Sequence, residues 1–137
     1  MDEWIQTYFA GKTSLDQIFK DLTRCSTHDQ LCRGIFERIS ERSPTALALT
    51  LRLLRHNEGR PLNEVFRMDA EAARFMIRHP DYSEGVRARV IDKDYHPVWN
   101  PGTIEDVDSF QMDDLFLTKG PATGFQASNP SEKGTIA

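Results

Sequence analysis

Apolar residues along this chain recur every three to four positions, the spacing of a helix face, and change phase at glycines, prolines and short polar breaks. From Asp2 to Ala10, Trp4, Ile5, Tyr8 and Phe9 fall on one side, and Gly11 supplies the stop. Ser14 and Gln17 then stand three apart as a capping box, followed by Leu15, Ile18, Phe19 and Leu22. After the break STHDQ, the spacing of Leu31, Ile35, Phe36 and Ile39 predicts a third helix over 29–40. Ser43 and Pro44 read as N-cap and first helical position, where the missing proline N–H costs nothing. Leu47, Leu51 and Leu54 continue that helix as one stripe, with Leu49 and Leu53 beside it. Ala46 and Ala48 leave room for a neighbouring helix, and His56, Asn57 and Gly59 end the run.

The longest predicted helix runs over 61–79 and is apolar on two sides. Leu62, Val65, Phe66, Ala73, Met76 and Ile77 make one face, and Met68, Ala72 and Phe75 make the other. Such a helix needs two packing partners, from its own chain or from another. Pro80 stops it. A short helix over 84–92 follows, then a charged turn, then an extended stretch through His96 and Pro97 to Trp99. A last helix is predicted over 110–117, and residues 119–137 read as a mobile tail of turn formers around an isolated Phe125. Only ARVID, residues 88–92, leans towards a strand. The expectation is an all-α chain, with residues 1–118 forming one helical region.

Composition narrows the function classes. A 137-residue chain with 39% hydrophobic and 28% charged residues fits one globular domain with a real core. A net charge of −4 and a pI near 5.5 argue against direct nucleic-acid binding. No run is long and apolar enough to predict a membrane span. The start MDEWIQTYFAGK lacks a basic n-region and is acidic, so neither a secretory signal nor a presequence is expected. Two cysteines, Cys25 and Cys32, suggest free, partly buried thiols in a reducing compartment.

Candidate chemistry is sparse. Cys25, His28 and Cys32 would share a face on one continuous helix and offer three metal ligands, but the STHD break spoils that geometry and no fourth ligand is near. No metal site is therefore expected, and the thiols are read as structural. No nucleophile elbow, phosphate loop or metalloprotease signature is present, so no catalytic or cofactor-binding residue is assigned. The four histidines, His28, His56, His79 and His96, sit at helix ends or turns, where capping histidines are ordinary. Asp69 interrupts an apolar stripe and is expected to need a partner, with Arg52, Arg74, Arg87 and Arg89 as candidates; a helix-locking ion pair is favoured over a catalytic acid. Arg52, Arg55 and His56 form a basic strip suited to a phosphate-bearing ligand such as coenzyme A, although a solvated face paired with Glu58 and Glu64 is the plainer reading.

Two stretches together carry a resemblance. Ser43-Pro44-Thr45-Ala46-Leu47 with Leu49-Thr50-Leu51-Arg52 is followed, after a long helix, by Glu84-Gly85-Val86-Arg87-Ala88 with Ile91-Asp92-Lys93-Asp94, Pro97 and Trp99. This arrangement resembles the 3-hydroxyisobutyryl-CoA hydrolases of the enoyl-CoA hydratase/isomerase (crotonase) superfamily. The lead-in YFAGKTSLDQIFKDL is similar as well, and the resemblance covers residues 4–118. The Asp-Lys-Asp ending with Pro97 and Trp99 distinguishes this hydrolase branch from plain hydratases.

The resemblance implies the helical C-terminal part of the crotonase fold without its ββα spiral core. That core holds the oxyanion hole and the acidic catalytic residues, so no family catalytic residue maps onto this sequence. It further implies a thioesterase of valine breakdown whose substrate is a coenzyme A thioester, with no resident cofactor. This chain alone would be inactive, and the missing core or another copy of the chain would be its partner in an oligomer. Pro97 and Trp99 are expected to pack the exit segment onto the helices. The compartment would be the cytoplasm in a bacterium and the mitochondrial matrix in a eukaryote. The alternative is a non-catalytic assembly protein of helices only, a use known from family members in mitochondrial ribosomal small subunits.

Overall fold

The computed structural model describes residues 2–26 and 29–117. It is all-α, with no strand among the described residues, as expected for the helical part of a crotonase-type fold. The order is α1 (Asp2–Tyr8), α2 (Leu15–Ser26), α3 (Gln30–Ser40), α4 (Pro44–Asn57), α5 (Leu62–Arg78), α6 (Pro80–Val86), a π-helical turn (Arg87–Ile91) and α7 (Ser109–Leu117). The tail expected from residue 119 lies outside the described residues.

Local chemistry accounts for most of these limits. Gly11 and Gly59 take φ values of +70°, where a side chain would be strained. Ser14 Oγ accepts from Gln17 N at 3.3 Å, while Gln17 Oε1 reaches back to Thr13 N at 2.9 Å. The capping box thus closes one residue earlier than its usual form. Asp29 caps α3 by accepting from Leu31 N, and Ser43 caps α4 by accepting from Ala46 N.

Packing forms two cores. Ile18, Leu22 and Cys32 are buried between α2 and α3, with Trp4, Tyr8 and Phe9 of the α1 region packed against them. Leu49, Ala72 and Met112 are buried where α4, α5 and α7 meet. Helix α4 joins the two, because Leu51 faces the first core while Leu49 and Leu53 face the second.

Three expectations need correction. The helix predicted over 84–92 begins earlier, at Pro80. His79 is extended (φ −76°, ψ 139°), ends α5, and caps α6 by accepting from Asp81 N. Pro80 forces the residue before it out of helical geometry yet suits the first position of the next helix, so one proline both stops and starts. The strand-leaning stretch ARVID lies mainly in the π-turn, closed by Asp92 N donating to Arg87 O at 2.8 Å. The cysteines are not free thiols. Cys25 and Cys32 form a disulfide, because α2 and α3 pack on one core and bring their Cα atoms to 5.7 Å. Two helices folded together achieve what i and i+7 on one helix could not.

Candidate functional site

The two stretches that carry the resemblance lie about 40 residues apart in sequence, and the fold brings them to one place. Ser43 Oγ donates to Asp81 Oδ2, and Asp81 Oδ1 accepts from Asn100 N at 2.8 Å. Asp81 is only 3% exposed, so a single buried carboxylate ties the start of α4, the start of α6 and the end of the exit segment. Trp99 Nε1 donates to Glu41 O at 3.1 Å, at the end of α3, and the indole lies over Gly85. A Cβ on Gly85 would stand 3.4 Å from the indole, at ordinary contact distance.

Between these anchors lies a charged turn organised by Arg87. Its guanidinium meets Glu84 at 2.8 Å, Asp92 at 2.7 Å and Asp94 at 2.6 Å, and also donates to His96 O. Glu84 Oε1 in addition accepts from Val98 N at 2.8 Å. Arg87, followed by the Val98 N–H, lowers the Glu84 pKa to about 2. Arg87 and then the His96 N–H lower that of Asp94, and the carboxylates in turn raise Arg87, with Glu84 contributing most. Lys93 and Tyr95 have φ values of 56° and 60°, a conformation that costs non-glycine residues energy and persists here inside this ion-pair cage. These groups therefore hold the chain.

The basic strip on α4 is likewise largely spent. Arg52 pairs with Asp113, donates to Ser109 O, and sits 5.2 Å over the Phe116 ring, so it clasps α7 rather than Glu58 or Glu64. Arg55 donates to Thr13 O. The His56 ring packs on Phe116, and burial, followed by the nearby Arg60 and Arg67, lowers its pKa. Arg55 does line an open cleft of about 730 Å³ with Phe9, Lys12, Leu51, Leu54 and Val65. Lys12 is itself paired with Asp21.

Asp69 departs from the expectation. It is exposed and accepts from Asn57 Nδ2 at 3.2 Å rather than pairing with Arg52, Arg74, Arg87 or Arg89. The cause is that the Phe66–Ala73 stripe of α5 faces outward, so its aspartate is never desolvated. Cys25, Asp29 and Cys32 come within 4.8 Å of one another, but both sulfurs are committed to the disulfide. His28 lies outside the described residues. Asp81 escaped the sequence reading, although its place just after His79-Pro80, in the first turn of α6, was the available signal.

The family model described as Enoyl-CoA hydratase/isomerase matches residues 1–116. The chain belongs to that family. Its relatives include mitochondrial 3-hydroxyisobutyryl-CoA hydrolases. The Gallus gallus enzyme is 42% identical over 61% of this chain and 22% of its own length. The Bos taurus enzyme is 32% identical over 85% of this chain and 29% of its own length. That of Danio rerio is 38% identical over 75% and 26%. This member of the enoyl-CoA hydratase/isomerase family thus spans less than a third of those relatives. Among the described residues, no helix is long and apolar enough to cross a membrane.

Proposed function

We propose that this chain provides the helical C-terminal part of a 3-hydroxyisobutyryl-CoA hydrolase-like thioesterase of valine breakdown, while the family's spiral core cleaves the thioester. In that role its helices pack against the core and close over the acyl-CoA, and the chain alone has no turnover. In a eukaryote the assembly would reside in the mitochondrion, as the relatives' names suggest.

One observation carries the reading. Leu62, Phe66 and Ile77, on the outer face of α5, are 66%, 63% and 59% exposed. They fall at helical spacing on a single stripe, and a soluble helix presents such a stripe to a partner. The matched region is 22% and 29% of these relatives' own length, and the remainder of their fold supplies a natural occupant. The described residues meanwhile pair their buried carboxylate and their α4 arginines internally, which fits a supporting part better than a reaction centre.

The test is to assay the purified chain for thiol release from 3-hydroxyisobutyryl-CoA, then to co-express it with the complementary core of the Gallus gallus enzyme. Expected are no turnover alone, and a stoichiometric complex with restored thioesterase activity. Turnover by the isolated chain overturns the proposal. A stable complex without activity instead favours the non-catalytic assembly reading, which draws on the same exposed face.

A further inference from the structure

We propose that Cys25 and Cys32 are a reversible thiol–disulfide site, exchanging with small-molecule thiols and disulfides, with Cys25 as the sulfur attacked from solution and Cys32 as the sulfur that leaves. The site is independent of the thioesterase reading. Access assigns the roles. Cys32 is 0% exposed and belongs to the first core, whereas Cys25, at the end of α2, is only half-buried. An incoming thiolate can reach Cys25 alone. Cys32 lies in the first turn of α3, three residues after the Asp29 cap, where the helix dipole offsets part of the cost of forming a thiolate in the core. Asp29 Oδ2 stands 3.9 Å from Cys25 Sγ, and the carboxylate lies within 4.8 Å of Cys32 Sγ, so its charge opposes a thiolate at either sulfur. The sulfur within reach of solution takes the incoming thiolate, so displacement runs from Cys25 towards Cys32.

The chemistry balances with a low-molecular-weight thiol, RSH. One RSH loses its proton to water and attacks Cys25 Sγ; the S–S bond to Cys32 breaks, and the Cys32 thiolate takes up a proton. A second RS⁻ attacks the mixed disulfide on Cys25, giving RSSR and the Cys25 thiolate, which is then protonated. Two small thiols are oxidised and one protein disulfide is reduced. Oxidation by RSSR is the reverse. Reduction removes the covalent tie between α2 and α3, the helices on which α1 rests.

The full chain contains only these two cysteines, so intact mass reads the site directly. The chain is equilibrated in glutathione and glutathione disulfide buffers, acid-quenched, alkylated and weighed. A single conversion between dithiol and disulfide is expected. With glutathione disulfide, reduced Cys32→Ala should accumulate a mixed disulfide on Cys25, and Cys25→Ser should react at least about tenfold more slowly. Asp29→Asn keeps a good cap while removing the charge, and should quicken mixed-disulfide formation at Cys25 severalfold. Peptide mapping of wild-type chain quenched early locates the first adduct even if Cys32→Ala fails to fold. The proposal is overturned if the wild-type chain remains dithiol throughout, if the first adduct sits on Cys32, or if Asp29→Asn leaves the rate unchanged.

Discussion

Trp99 and Glu41 are 58 positions apart and joined by one hydrogen bond, from the indole Nε1 to the backbone carbonyl at 3.1 Å. That bond seats the exit segment against the end of α3, and the indole spreads over Gly85 of α6. Trp99→Phe should keep the ring contact and lose the donor, costing about 1 kcal/mol. Trp99→Ala should also lose the packing of a half-buried ring and cost about 2–3 kcal/mol, below the range for fully buried aromatics. Gly85→Ala places its Cβ at ordinary contact distance and gains helix propensity, so about 0.5–1 kcal/mol of stabilisation is expected, whereas Gly85→Leu should dislodge the indole. Urea unfolding followed by tryptophan fluorescence reads all four variants.

Asp81 is the buried hinge between the two family stretches. Asp81→Ala strands the Ser43 hydroxyl and the Asn100 N–H, and about 3 kcal/mol of destabilisation is expected from two lost bonds to a charged acceptor. Ser43→Ala loses both that bond and the α4 cap, and should cost about 1–2 kcal/mol. Combining the two should cost clearly less than their sum, since they share one interaction. A double-mutant cycle in urea measures this, and simple additivity would show that the pair is not coupled.

Acid should loosen the Arg87 turn. Glu84 and Asp94 have folded-state pKa values below their ordinary 4.5 and 3.8, so the folded state favours the carboxylates. Their contribution is fully present above those ordinary values and fades as pH falls from 4.5 towards about 2, the folded value of Glu84. His56 adds an earlier step of the same sign. Its folded-state pKa is lowered from 6.5, so the unfolded chain takes up the proton more readily and stability declines as pH falls through 6.5. Urea midpoints across this range should show both declines. His56→Gln should remove the upper one and Arg87→Gln should flatten the lower one. A lower limb unchanged in Arg87→Gln would rule out the turn as its origin.

The outer face of α5 separates folding from assembly. Phe66→Glu, at a largely exposed site, should shift stability by no more than about 0.5 kcal/mol. The same change should abolish binding to a co-expressed family core by placing a charge against its apolar surface. Circular dichroism and size-exclusion chromatography of the co-expressed pair decide it.

Sequence periodicity located α1 to α5 and α7 because a helix face is a local property. The Ser43-Pro44 start, the Gly11 stop and the Asp29 cap are each decided within four residues. The errors came where one residue serves two elements or where distant segments meet. Pro80 looked only like a terminator, yet it also opens α6, whose Asp81 is held by partners 38 and 19 positions away. Asp69 looked buried because its neighbours on the stripe are apolar, but which side of α5 turns inward is set by Leu49 and Met112.

The sequence by itself determined an all-α chain, its family, and which residues form its two characteristic stretches. The tertiary structure decided what those residues do: Arg52 clasps α7, Asp81 and Trp99 fasten the exit segment, and Cys25 bonds to Cys32. Helix formation is set by propensity and spacing over a few residues. A pairing between side chains depends on how whole helices stack, and no short window of sequence contains that information.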